Sequence, residues 1–283
     1  MLENEQKVFV KKIEIPMTIK ELNSQHQFVN YLKSKGVNTA RILDLNYDGF
    51  DIIEKQEEII GNHDIKIDEL IKNIAVFHKI SRKYGKSVLK KRYYNYCFSI
   101  RNVKLDKVLM GYDEKFYIYP MKSYYENRKN ISVLNKIRTL YITRKYNSMY
   151  NHIISKFNKN LCVIHNDISL NNVINSFGKI YLIDFDFCIS SYEVVDIADA
   201  ILTQYNNIET IFLNDEQFIN KIKESCNIYV NINKININYL DVVYQIGIKI
   251  ISFYYYIVLN DKLEFNKSIK NVYKLIRRLE KWI

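Results

Sequence analysis

The chain is poor in the residues that break or staple a fold. Two prolines and seven glycines are spread through 283 residues, and no Ser/Pro/Gly-rich stretch marks a linker between independent halves. The elements are therefore expected to pack as one unit. Four cysteines, at 97, 162, 188 and 226, lie far apart. They lack the close pairs that a zinc site or a small disulfide scaffold needs, so free thiols in a reducing cytoplasm are expected. Apolar runs such as 244–259 are interrupted, here by Lys249, and none reaches the ~20 residues of a membrane-spanning helix. The start, Met1-Leu2-Glu3-Asn4-Glu5, lacks the basic-then-apolar order of a secretory signal. A cytoplasmic protein without a membrane partner is expected.

What is abundant points to a globular, basic chain. A hydrophobic content of 48% supplies a core. A formal charge of +11 suits a polyanionic partner, and nucleotide phosphates, nucleic acid and anionic surfaces all qualify. Lys66, Lys72, Lys79, Lys83 and Lys86 are dispersed over expected helix faces and read as solvated. The Tyr/Lys interleaving of 90–96 imitates a single-strand stacking surface, but nucleic acid is the minor reading.

Residues 7–15 form a β-branched and aromatic run ended by Pro16, which predicts a strand. Leu22, Phe28, Val29 and Leu32 recur at helical spacing over 18–34, with Gly36 as a stop. Two short strands are expected at 41–45 and 50–60, around the turn Tyr47-Asp48-Gly49. An amphipathic helix follows over 67–84, with Leu70, Ile71, Ile74, Phe77, His78 and Ile80 on one face. A long helix is predicted over 133–157, and three more helical patterns fill the C-terminal third. Only 161–189 differs in character, alternating apolar strands with polar turns.

That segment carries the chemistry. Asp167 stands two residues after His165, and Asn172 five residues after Asp167, the spacing of a kinase catalytic loop. Val163 and Ile164 before it, and Val173 and Ile174 after it, predict short supporting strands. Seventeen residues beyond Asp167, the run 179–183 delivers Asp184. Phosphoryl transfer is mostly positioning and charge neutralisation. Asp167 is the candidate base beside an acceptor hydroxyl. Asn172 and Asp184 offer hard oxygen ligands for Mg²⁺ bridging nucleotide phosphates. His165 is expected to hydrogen-bond the loop backbone, Asp196 to cap or brace the loop, and Asp186 either to reach a second metal or to cap a turn.

The run from His165-Asn166-Asp167 to Asn172, with Ile183-Asp184-Phe185-Asp186 and Asp196-Ile197-Ala198, resembles the signature of aminoglycoside phosphotransferases and choline kinases. Residues 28–36, the turn Tyr47-Asp48-Gly49 and Ala75-Val76-Phe77-His78-Lys79 resemble more narrowly the CotS group of spore-former proteins. The resemblance implies an α+β, protein-kinase-like bilobal fold, with a reduced N-terminal lobe at 1–61 and a mainly helical C-terminal lobe at 62–283. It implies ATP and Mg²⁺ as cofactors, a small-molecule hydroxyl as acceptor, and residues 57–61 as the lobe hinge. It also implies a phosphate-binding lysine on the first strand, where Lys12 is preferred over Lys11. No Gly-x-Gly-x-x-Gly occurs, and Gln25, with Glu21 one turn earlier, stands where the family often has a glutamate to pair that lysine. These departures motivate a second expectation, a catalytically silent, kinase-shaped spore-coat protein with spore-coat partners.

Overall fold

The computed structural model describes residues 8–13, 19–47, 52–84, 132–157, 161–204, 215–260 and 265–283. Pro16, Asp48 and Gly49 of the expected turn, the stretch 90–96, Cys97 and the side chain of Glu21 lie outside the described residues.

Strand β1 (Val8–Ile13) pairs antiparallel with β3 (Ile52–Glu57), which pairs antiparallel with β2 (Ile42–Tyr47), giving the order β1-β3-β2. In this register Lys11 lies opposite Glu54 and Lys12 opposite Ile53. Directly opposed residues share a face and successive residues alternate, so Lys11 and Glu54 face together and Lys12 faces away. Helix α1 (Ile19–Ser34) follows β1 and buries Leu22, Phe28, Val29 and Leu32. It ends at Gly36, whose φ of +84° suits a residue without Cβ.

Residues 58–66 carry the chain from the sheet into helix α2 (Ile67–Ser81). Asp68 and Glu69 occupy its first turn and His78 and Lys79 its last, matching the helix dipole. Its buried stripe includes Leu70, Ile71, Ile74, Phe77 and His78. Helix α3 (Val133–Phe157) packs against α6 (Tyr239–Asn260) and α7 (Phe265–Leu279). Helix α5 (Asp215–Asn233) packs on α2.

Two small sheets lie between these helices. Strand β4 (Leu161–Ile164) pairs with β7 (Ile189–Tyr192), and β5 (Val173–Ser176) pairs with β6 (Lys179–Leu182). The strands flanking Asp167 therefore exist as expected, but in different sheets. Helix α4 (Val194–Leu202) follows β7. The β5–β6 hairpin is stitched to the connection from the first sheet. Asn62 N–H donates to Asn175 O at 3.0 Å, Asn175 N–H returns to Asn62 O at 2.8 Å, and Ser176 Oγ donates to Ile60 O at 2.7 Å. Gly61 lies so close that a Cβ there would stand 2.3 Å from Asn175 O. The described cysteines, Cys162, Cys188 and Cys226, are buried free thiols. No described helix is long and apolar enough to cross a membrane.

Candidate active site

The segment from His165 to Asn172 leaves β4 and enters β5, with a 3₁₀ turn at Leu170–Asn172. Its backbone is held from beneath by Asp196, which is fully buried on α4. Asp196 Oδ2 accepts from His165 N–H at 2.8 Å, and Oδ1 accepts from Asn166 N–H at 2.7 Å. Asn166 has a φ of +66°, a left-handed conformation that costs a non-glycine residue about 1–3 kcal/mol unless its surroundings enforce it. The Asp196 carboxylate supplies that enforcement.

Asp196 is oriented in turn by His78, buried on α2. Nε2 of His78 lies 2.9 Å from Asp196 Oδ2, and Nδ1 lies 2.9 Å from the Tyr229 hydroxyl. The network assigns a neutral imidazole whose Nε2–H donates to the carboxylate and whose Nδ1 accepts from Tyr229. Burial is the main reason the His78 imidazole titrates below its usual range, against the pull of Asp196. Burial pushes the Asp196 carboxyl upward, but the hydrogen bonds and charge that face it hold it below the ordinary value. Arg82 and Glu193 close the network as an ion pair.

Asp167 is tied to Asn172, whose Nδ2 donates to Asp167 Oδ2 at 2.8 Å and to its carbonyl at 3.0 Å. The loop also grips the strand that delivers the second acid. Ile183 N–H donates to Asn172 O at 3.0 Å, and His165 Nε2–H donates to Ile183 O at 2.8 Å. Both backbone groups before Asp184 are thus fixed by the loop that carries Asp167. Asp184 itself is left-handed, with φ 61° and ψ 69°, and opens the 3₁₀ turn Phe185–Phe187. Phe185 anchors that turn among His165, Phe77 and Phe28, at ring-centroid distances of 4.6, 5.8 and 6.4 Å. Aromatic packing thereby joins α1, α2 and the loop beneath the acid.

Lys11 reaches this turn from the sheet. Its Nζ lies 2.6 Å from Asp184 Oδ1 and 2.6 Å from Asp186 Oδ2. Burial works against the ammonium, but the two carboxylates outweigh it and raise the Lys11 pKa. Burial, with Asp184 alongside, pushes the Asp186 carboxyl up against the opposing pull of Lys11. Glu54 is buried on the same face as Lys11, and its Oε2 accepts from His26 Nε2 at 2.7 Å. Gln25 donates through Nε2 to the Phe185 carbonyl, while its Oε1 is buried without a partner.

Asp167 and Asn172 therefore share hydrogen bonds, their loop fixes the backbone of Ile183 just before Asp184, and Lys11 pairs with Asp184. The preference for Lys12 is corrected: strand alternation turns its side chain to the exposed face, and Lys11 enters the cleft. His165 bonds the backbone and Asp196 braces the loop. Asp186 pairs with Lys11. Reasoning from sequence missed Glu54 and His26, since only strand register sets Glu54 opposite Lys11 and only helix packing brings His26 to Glu54.

The carboxylates at this turn are hard oxygen donors of the kind a divalent cation takes. Asp184 and Asp186 already converge on a cationic nitrogen, the Lys11 ammonium, and Asn172 belongs to the loop that fixes the backbone before Asp184. Mg²⁺ on nucleotides uses one or two carboxylates and completes its shell with phosphate and water. The set suits that mode, although no cluster of three or more His, Cys, Asp or Glu fit to hold a metal occurs among the described residues.

No protein-family model matches the chain, and no curated protein matches it. Solved structures do. The chain is similar to an amicoumacin kinase, hAmiN, in complex with AMP-PNP, Ca²⁺ and Ami, at a TM-score of 0.62 and 11% identity over 94% of this chain and 81% of that one. It is also similar to a choline kinase, LicA, from Streptococcus pneumoniae (TM-score 0.57, 11% identity, 98% and 87% covered). A third is an aminoglycoside phosphotransferase from Alicyclobacillus acidocaldarius (TM-score 0.56, 9% identity, 98% and 87% covered). The chain has the bilobal, kinase-like α+β fold of these proteins.

Proposed function

We propose that the chain is an ATP- and Mg²⁺-dependent phosphotransferase acting on a hydroxyl of a small molecule. The observation that carries this reading is the double grip on Ile183 by His165 and Asn172, which sets Asp184 beside the loop bearing Asp167. In this role Asp167 orients the acceptor hydroxyl and takes its proton, held by Asn172. Lys11, paired here with Asp184 and Asp186, would bind the nucleotide phosphates. Asp184 and Asn172 would hold the metal, which would supply neutralisation of the phosphate charge. The lobes divide near Gly61, and the connection 57–61 receives the nucleotide base by its backbone.

The test is a thermal-shift titration with ATP and Mg²⁺, followed by an ADP-release assay. Asp184→Ala is expected to abolish magnesium-dependent stabilisation, whereas Asp167→Asn keeps binding and loses turnover. No stabilisation of the folded wild type at millimolar ATP would sink the reading.

A second reading, a silent kinase-shaped protein of the CotS type with spore-coat partners, is favoured by two observations. Gln25 bonds the Phe185 carbonyl, and Lys11 pairs with the acids it would share with a metal. That reading requires unchanged melting with Mg²⁺ and ATP.

A further inference from the structure

The net charge of the chain is gathered on two neighbouring helices. Residues 133–157, which form α3, contain five lysines and arginines and no acid. Residues 265–282, α7 and the 3₁₀ turn after it, contain six lysines and arginines against Glu280 alone. These two segments hold ten of the eleven net positive charges, so the rest of the sequence is close to neutral. On α7 the exposed residues Lys270, Lys274, Arg277 and Lys281 recur at i, i+4, i+7 and i+11, a single stripe. Ile269, Val272, Ile276 and Leu279 are buried on the other side of the helix.

Helix α3 packs against α7 and exposes apolar side chains. Val133, Leu134, Ile137 and Leu140 are each more than half exposed. Val133, Ile137 and Leu140 repeat the i, i+4, i+7 spacing of the α7 stripe, and Arg144 continues it at i+11. The opposite side of α3 is buried through Ile142, Met149 and Ile153. A helix apolar on both sides is ordinarily covered on both. The two stripes adjoin at a pair of tyrosines. Tyr141, one turn after Ile137, lies 5.2 Å from Tyr273 between ring centroids, and the Arg277 guanidinium stands 5.8 Å from the Tyr141 ring. Glu280 takes Lys145 and the Tyr141 hydroxyl from α3, so the one acid of this face is occupied in tying the helices together.

We infer that the face formed by α3 and α7 is a docking surface for an anionic phospholipid bilayer. The headgroups meet the lysines and arginines, and the aliphatic side chains of α3 enter the boundary between headgroups and acyl chains. Nucleic acid would use the charge but leave the four aliphatic residues in water. A second copy would bring two faces of like charge together. The lack of a long apolar run argues only against a segment that spans the bilayer, and a face that lies on its surface needs none. None of these residues belongs to the candidate active site, so the docking stands apart from phosphoryl transfer.

The experiment mixes the full chain with vesicles of phosphatidylcholine alone, or with about 30% phosphatidylglycerol, at about 0.1 M salt, where charges act over roughly 10 Å. Sedimentation of the vesicles measures the bound fraction. The anionic vesicles are expected to bind at least tenfold more tightly than the neutral ones, and salt at about 0.5 M to weaken that binding. Ile137→Glu/Leu140→Glu and Lys270→Glu/Lys274→Glu should each weaken it at least tenfold. Lys79→Glu/Lys83→Glu on α2, with the same change in charge as the α7 variant, should weaken it less than threefold. All six positions are exposed, so thermal melting by circular dichroism is expected to be unchanged. Ile137→Ser/Leu140→Ser replaces the glutamate pair if that pair melts lower. Equal binding to the two vesicles, no binding at about 1 mM lipid, or an α2 control that loses as much as the α7 variant would each overturn the inference. So would tighter binding to single-stranded RNA than to anionic vesicles, or sedimentation as a dimer that Ile137→Glu/Leu140→Glu dissociates.

Discussion

Asp196 is the residue on which the loop geometry depends most directly, and Asp196→Asn tests that dependence with almost no change in shape. In the wild type two carboxylate oxygens receive three N–H donors: His165 and Asn166 from the backbone, and His78 from its ring. The variant keeps one oxygen and replaces the other with an NH₂ group. If the amide nitrogen takes the Oδ1 position it faces the Asn166 N–H; if it takes the Oδ2 position it faces the His165 N–H. Either orientation leaves a fully buried backbone donor unsatisfied, which costs about 1–3 kcal/mol. The surviving bonds lose their charge assistance, roughly 1 kcal/mol each. The sum is about 3–5 kcal/mol, or about 10 °C in melting temperature for a chain of this size. Urea denaturation followed by circular dichroism measures it. Asp44→Asn is the control, since Asp44 makes an exposed 3.9 Å pair with Lys55 and accepts one exposed bond from Leu45 N–H at 2.9 Å, contacts worth about 1 kcal/mol or less. A loss below about 1 kcal/mol for Asp196→Asn, no larger than the control, would show that the carboxylate does not hold the loop.

The Lys11→Met variant is expected to weaken Mg²⁺–nucleotide binding at least tenfold by calorimetry and Lys12→Met less than twofold, because only Lys11 faces Asp184. Stability should fall as pH drops below about 6.5, the unfolded value of histidine. Buried, neutral His78 resists the proton that the unfolded chain accepts; urea midpoints between pH 7 and 5 measure the slope, and His78→Asn should flatten it. Burial pushes the Asp199 carboxyl up to about 7 against the pull of Lys249, so its ionised form costs stability that is lost as pH rises from about 4 toward 7. Removing Lys249 enlarges that cost. Lys249→Met should therefore destabilise more at pH 8 than at pH 5, by roughly 2 kcal/mol; equal losses at both pH values would contradict the pairing. Gly61→Ala should lose about 1–3 kcal/mol in the same assay, since its Cβ meets the Asn175 carbonyl.

The order of strands and helices was legible because the apolar periods are long and clean. Residues 18–34 and 67–84 showed their stripes, and α1 and α2 follow within a few residues. The loop was legible for a different reason. Its chemistry needs His165, Asp167 and Asn172 at short fixed distances along one chain segment, and such spacing survives in a linear sequence. Even the bracing role of Asp196 could be read, as it follows the same segment closely. What depended on register could not. Alternation says that Lys11 and Lys12 face opposite ways, but only the pairing of β1 with β3 and the packing of α1 beneath them say which way the cleft lies.

The same limit explains the residues that were missed. Glu54 and His26 are 28 positions apart, and Asp199 and Lys249 are 50 apart; neither pair has a local pattern, since each partner alone reads as an ordinary helix or strand residue. Asp184 shows a further kind of silence. Its left-handed backbone has no glycine to announce it, because the enforcement comes from elsewhere: Ile183 clamped on both sides, Phe185 wedged among three rings, and Lys11 drawing the carboxylate inward. An acid held in a costly conformation by four separate elements is hard to account for as surface decoration. Relaxing any one support, for instance by Phe185→Ala, should reduce Mg²⁺-dependent nucleotide binding more than it reduces binding of nucleotide alone. Equal loss in the two titrations would mean that the turn serves packing and not the metal.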